Sequence, residues 1–186
     1  MSIKFESGNN ASIITFKGIT PKIHPTVFLC EGVRIIGDVE IEENTSVWYN
    51  TVIRGDVHYI KIGKDTNIQD MSMLHVTNQK YPLNIGNGVT IAHSVSLHGT
   101  TIKDNSLIGI GAIVLDGSVI GSYSLVAAGA VVREGFVVPD GCLVAGVPAK
   151  VIRKLTDSEM NRILETTVNY KSYVSEYREL FNQANP

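Results

Sequence analysis

From Ile102 onward an aliphatic residue recurs every six positions, at Ile102, Ile108, Val114, Ile120, Val126, Val132, Val138 and Val144. The same register continues upstream in blocks: Ile85, Ile91 and Leu97; Ile62, Ile68 and Leu74; and Leu29, Ile35, Ile41, Val47 and Ile53. Small residues stand two positions before many of these aliphatics, as at Thr45, Ser106, Ala112, Ser118, Ser124 and Ala130, and glycine often follows them, as at Gly63, Gly86, Gly109 and Gly121. A period of six fits neither the 3.6 of a helix nor a plain alternating hairpin. It predicts very short strands with one inward aliphatic each, and a turn after every strand.

Three such units close one coil of about 18 residues, and stacked coils bond to one another about 4.8 Å apart along a packed aliphatic core. The predicted fold is all-β, a parallel β-helix with three flat faces. The repeat resembles that of hexapeptide-repeat proteins, which implies a left-handed β-helix; general crossover rules alone favour the other hand. The ends depart from the repeat. Residues 11–16 (ASIITF) predict a strand, and the coils span about 23–150. Thr156-Asp157-Ser158-Glu159 has the form of a capping box. Behind it Met160, Ile163, Leu164, Thr167, Tyr170, Val174, Tyr177 and Phe181 follow helical spacing. The chain therefore divides into a β-helix domain over 1–155 and a C-terminal α-helix in 156–186, over about 157–182, packed back along one face.

Composition narrows the picture. A chain of 186 residues holds one domain with a real core. Its formal charge of −2 implies no basic surface for nucleic acid. No apolar run reaches membrane-spanning length, so no membrane partner is expected. The first residues (MSIKFESGNN) carry no signal-peptide pattern, and Cys30 and Cys142 form no CxxC pair. Together these predict a cytoplasmic chain with two reduced, structural thiols.

Against this aliphatic background three histidines stand out: His75, His93 and His98. His75 and His98 each follow an inward leucine, so both point outward on one face. Their separation of 23 residues is one coil plus a five-residue excursion near 78–82, which makes them rung neighbours about 5 Å apart at the backbone. Such a stack could be merely solvated, but crowding of like charge disfavours it unless something binds between the rings. Three imidazoles with an open position are the ligand set of a catalytic zinc site. Iron or cobalt suits the same donors. His93 lies on the preceding face, where one subunit does not aim it at the other two. A homotrimer, with His93 coming from the neighbour, solves that geometry. His24, which precedes Pro25, reads as a loop residue, and no spacing aims His58 at the trio.

The series Arg54-Gly55-Asp56, Asn67-Ile68-Gln69-Asp70, Met73-Leu74-His75, Ile91-Ala92-His93-Ser94 and Leu97-His98-Gly99 resembles the gamma-class carbonic anhydrases and their relatives, over roughly residues 20–155. The resemblance implies that His75, His93 and His98 are metal ligands, with His93 donated across a trimer interface. It implies that Gln69 bonds the metal-bound water, that Asn67 and Asp70 line the pocket, and that Arg54 and Asp56 link subunits beside it. Tyr170 matches a tyrosine near the metal. The implied reaction is reversible hydration of CO2 to bicarbonate by a metal-bound hydroxide, the ion lowering the pKa of its water to about 7.

One departure bears on rate. The resemblance implies acidic residues that export the proton, but Val57 follows Asp56 and the excursion Thr77-Asn78-Gln79-Lys80-Tyr81-Pro82 holds no carboxylate. Hydration that is slow, absent or dependent on buffer is the expectation. Two other classes fit the repeat. One is a hexapeptide acyltransferase or acyl-CoA thioesterase using histidine as a base, to which the Gly146-Val147-Pro148-Ala149-Lys150 ending also conforms. The other is a non-catalytic trimeric scaffold held by structural metal.

Overall fold

The computed structural model describes residues 11–184. The first ten residues, where no signal-peptide pattern was read, and the last two lie outside the described residues. From Phe28 to Val144 the chain winds as a parallel β-solenoid of about seven turns. The six-residue repeat explains the architecture directly, because its marked aliphatics stack in three inward columns. One column runs Ile68, Ile91, Ile108, Val126, Val144. A second runs Ile53, Leu74, Leu97, Val114, Val132. The third runs Ile62, Ile85, Ile102, Ile120, Val138. All of these side chains are buried. Each neighbour along a column is one rung away, so the core is continuous although most strands are only two or three residues long, Arg34–Ile41 and Val52–Ile62 being the long exceptions.

The corners explain the small residues. Thr45 Oγ1 donates to the Gly63 carbonyl at 2.7 Å and Ser106 Oγ to that of Gly121 at 2.7 Å. Buried hydroxyls thus satisfy carbonyls that the turns take out of the ladder. The glycine after the aliphatic answers a different need. At Gly109 an added Cβ would lie 2.6 Å from the Ala128 backbone nitrogen of the next coil.

The ends hold two adjustments to the sequence reading. The N-terminal strand spans Ser12–Ile14, shorter than 11–16, and pairs with residues 34–36 of the strand Arg34–Ile41. Phe16 bridges Ile19 instead of extending it. The C-terminal helix runs Asp157–Ala184. Its start carries the reciprocal capping box: Thr156 Oγ1 accepts from the Glu159 amide at 3.3 Å, and Glu159 Oε2 accepts from the Thr156 amide at 2.9 Å. The apolar stripe packs on the face built by the strands Phe28–Leu29, Ser46–Val47, Asn67–Ile68 and Thr90–Ile91. Trp48 meets Tyr170 and Tyr177 edge-on at 5.3 and 5.2 Å, and Phe28 stacks on Phe181 at 6.1 Å. Leu164, counted in the stripe by its spacing, is exposed. Cys30 and Cys142 are buried free thiols. Among the described residues no helix is long and apolar enough to cross a membrane.

Candidate metal centre

The strands Met73–His75 and Ser96–His98 pair in parallel with His75 opposite His98. The register follows from Leu74 and Leu97 both pointing inward, which forces the next residue of each strand outward. The two rings lie 5.0 Å apart, and His75 Nδ1 faces His98 Nε2 at 3.1 Å. The remaining nitrogen of each ring meets a carboxylate. His75 Nε2 is 2.9 Å from Asp56 Oδ1, and His98 Nδ1 is 2.6 Å from Asp116 Oδ1. A neutral imidazole has one donor and one acceptor nitrogen. When each ring carries its single proton on the carboxylate-facing nitrogen, the two facing nitrogens are acceptors aimed at each other. A shared cation resolves that conflict. Two nitrogens at ordinary zinc distances in a tetrahedral shell stand roughly 3.3 Å apart, so the observed separation fits a pair of ligands on one ion.

His93 repeats the arrangement on another corner. Its Nδ1 lies 2.8 Å from Asp70 Oδ2, and its side chain is 44% exposed. Asp70 and His93 are successive rungs of that corner, where the Ser94 amide donates to the Asp70 carbonyl. Among the described residues His93 Nε2 meets no hydrogen-bond partner, and the ring does not join the His75–His98 pair; within one chain no three His, Cys, Asp or Glu groups of the described residues converge on a metal position. Apolar side chains flank this corner exposed to solvent: Met71, Met73, Ile110 and Ile113.

The other predicted residues fall into two groups. Arg54 Nη1 donates to Asp56 Oδ2, so within one chain Asp56 receives both the guanidinium and His75. Burial pushes the Asp56 carboxyl up, but the bonds from His75 and Arg54 outweigh it and hold its pKa below the usual value. On the helix-covered face, Gln69 Nε2 donates to Asn67 Oδ1 at 3.0 Å and Asn67 Nδ2 donates to Thr90 Oγ1 at 2.8 Å, both amides being buried. Tyr170 packs against Trp48 and borders a cleft of about 200 Å³ that Asn67 also lines. Burial, and then the charge of Asp70, push the Tyr170 hydroxyl up to about 12, so it is a neutral donor at physiological pH. His24 bonds Thr26 at 2.9 Å and His58 accepts from the Tyr59 amide at 2.9 Å. Neither approaches the trio by any bond in the structure.

Asp116 and Thr77 escaped the sequence reading. Asp116 stands one position past Leu115, the residue that the register sets opposite His98, so the repeat brings it near the pair but does not by itself aim it there.

A β-helix built from this repeat defines the class, and comparison with known proteins agrees. The family described as bacterial transferase hexapeptide (six repeats) matches residues 99–134. Protein YrdA of Escherichia coli is 44% identical over 177 residues, covering 92% of this chain and 96% of that protein. A carbonic anhydrase of Geobacillus kaustophilus is 50% identical over 164 residues, covering 87% and 90%. A solved hexapeptide transferase family protein from Anaplasma phagocytophilum superposes with a TM-score of 0.86 at 39% identity, covering 89% and 98%. The chain belongs to the gamma-class carbonic anhydrase-like family of left-handed hexapeptide-repeat proteins.

Proposed function

We propose that this chain is a metal-dependent hydratase that interconverts CO2 and bicarbonate, with zinc (or iron or cobalt) held between subunits of a homotrimer. The observation that carries the reading is the matched orientation of the histidines. Each of the three has one ring nitrogen against a carboxylate, and in the His75–His98 pair the other two nitrogens face each other 3.1 Å apart. His75 and His98 of one subunit and His93 of the next complete the ligand set. Exposed Met71, Met73, Ile110 and Ile113 beside His93 support a contact between copies there.

When bound, a divalent ion supplies Lewis acidity that makes water nucleophilic near neutral pH. The chain's own residues do the rest. Asp56, Asp70 and Asp116 hold protons on the outer nitrogens of the histidines and so fix which nitrogen is free. Gln69, its Nε2 committed to Asn67, has Oε1 left to accept a hydrogen bond from water or from the hydroxyl of bicarbonate. Arg54 holds Asp56 in place. As water adds to CO2, one C–O bond forms and one proton must leave. The excursion after His75 offers no carboxylate for it, so export falls to buffer and unbuffered turnover is slow.

A transferase reading draws on the transferase descriptions of the matching repeat family and of the Anaplasma phagocytophilum structure. It requires only one histidine as base and leaves the paired rings unexplained. The test is metal content and oligomer mass of wild type and His93→Ala. About one metal ion per subunit, lost in the variant, supports the hydratase reading. A metal-free assembly indifferent to His93, with acetyl-CoA turnover, overturns it.

A further inference from the structure

Resting on the metal reading above, we propose that Asp116 is the positioning residue for His98 and that the excursion after His75 exists in part to hold Asp116 through Thr77. Asp116 is shared by two short bonds. Its Oδ1 meets His98 Nδ1 at 2.6 Å and its Oδ2 accepts from Thr77 Oγ1 at 2.6 Å. Its side chain is 17% exposed. Thr77 Oγ1 itself stays 3.5 Å from His98 Nδ1, too far to replace the carboxylate.

The surrounding backbone makes this geometry rigid. The Thr77 amide donates to the Tyr81 carbonyl at 3.1 Å, closing the excursion on itself. The Gly99 amide donates to the His75 carbonyl at 3.1 Å, and the Gly117 amide to the Gly99 carbonyl at 2.7 Å. The three segments carrying His75, His98 and Asp116 are thus laced rung to rung. Tyr81 covers Gly117 so closely that an added Cβ there would lie 2.9 Å from its ring. The five-residue excursion therefore does more than interrupt the coil. It delivers a hydroxyl to the second oxygen of the carboxylate that orients His98.

The chemical consequence is a fixed tautomer. A carboxylate on Nδ1 keeps the proton there and leaves the Nε2 lone pair turned toward His75. Without Asp116 the proton distributes between the two nitrogens and the ring turns more freely, so a cation loses one preset ligand.

The test compares wild type with Asp116→Ala, Thr77→Val and His98→Ala. Histidine-selective 15N NMR on metal-stripped protein reads the tautomer of His98, and competition against a chromophoric chelator reads zinc affinity. The expected result for Asp116→Ala is loss of the single Nδ1–H tautomer and a fall in zinc affinity of about 10–100-fold, with the fold retained. Thr77→Val, which keeps the shape of the side chain, shifts both readings the same way by less, and it carries the test should Asp116→Ala fail to fold. An unchanged tautomer with wild-type affinity in either foldable variant overturns the proposal. Absence of zinc binding by wild type defeats the metal reading instead, while the tautomer of the metal-free protein still decides the role of Asp116.

Discussion

Asp70 Oδ2 sits 2.8 Å from His93 Nδ1, and the two residues are 23 positions apart, the same interval that separates His75 from His98. One excursion of the chain thus sets two registers at once: it stacks a pair of histidines on one face and a carboxylate–histidine pair on the adjacent corner. Asp70→Asn removes the charge that holds the His93 ring while preserving its size. Zinc affinity is expected to drop about tenfold with oligomer mass unchanged, read by chelator competition and light scattering. Undiminished affinity would show that His93 needs no orienting carboxylate.

Assembly is expected to depend on the apolar corner rather than on the core. Met71 is 68% and Ile110 is 56% exposed, large apolar side chains left in solvent on one corner of the coils. Ile110→Lys, placed on that surface, is expected to lower the oligomer mass while leaving the circular dichroism of the coils intact. A trimer that tolerates the lysine would move the interface elsewhere.

How far the sequence foretold this molecule depended on periodicity. Ile53, Leu74, Leu97 and Val114 could be assigned to one face from spacing alone, because an inward residue every sixth position leaves no other way to close a coil. The same arithmetic placed His75 against His98. It also contains Asp70 beside His93, whereas the family resemblance implies only a pocket-lining role for Asp70. Asp116 was overlooked because the expected rung neighbour of His98 was Leu115, and the carboxylate reaches back from the following position. Thr77 lies in the excursion, where no repeat governs direction. Leu164 fitted the helical stripe, but the face beneath the helix is built of Phe28 and Trp48, and the stripe narrows to the residues that reach them.

The glycines after the inward aliphatics predict an energetic signature. Gly109→Ala is expected to destabilise by about 1–3 kcal/mol, since its methyl must displace the Ala128 backbone and nothing flexible yields. Ile108→Ala, one residue earlier in the buried column, is expected to cost about 2–5 kcal/mol through the cavity it leaves. Denaturant midpoints of the two variants measure both. A neutral Gly109→Ala would mean that neighbouring coils can part locally without loss.

The start of the C-terminal helix is expected to make stability depend on acid. Glu159 bonds Arg153 through both oxygens at 2.8 Å and accepts from the Thr156 amide. Arg153 first, and then the Thr156 bond, lower its carboxyl from 4.5 to about 2. A carboxyl depressed in the folded state stabilises fully above its unfolded value, and the contribution fades as pH falls through the folded one. Wild type is therefore expected to exceed Glu159→Gln in thermal midpoint at neutral pH. The gap should shrink as pH falls from about 4.5 and close near 2. Because the pair is on the surface, added salt should narrow the gap at neutral pH as well. Thr156→Ala removes a hydroxyl that caps the Glu159 amide and also donates to Glu159 Oε2, so about 1 kcal/mol is lost at neutral pH, and the part owed to the carboxylate fades in acid while the cap's part remains. Melting curves of the three proteins between pH 2 and 7 separate the two contributions; a gap that persists unchanged at pH 2 would assign the effect of Glu159 to its shape and not to its charge.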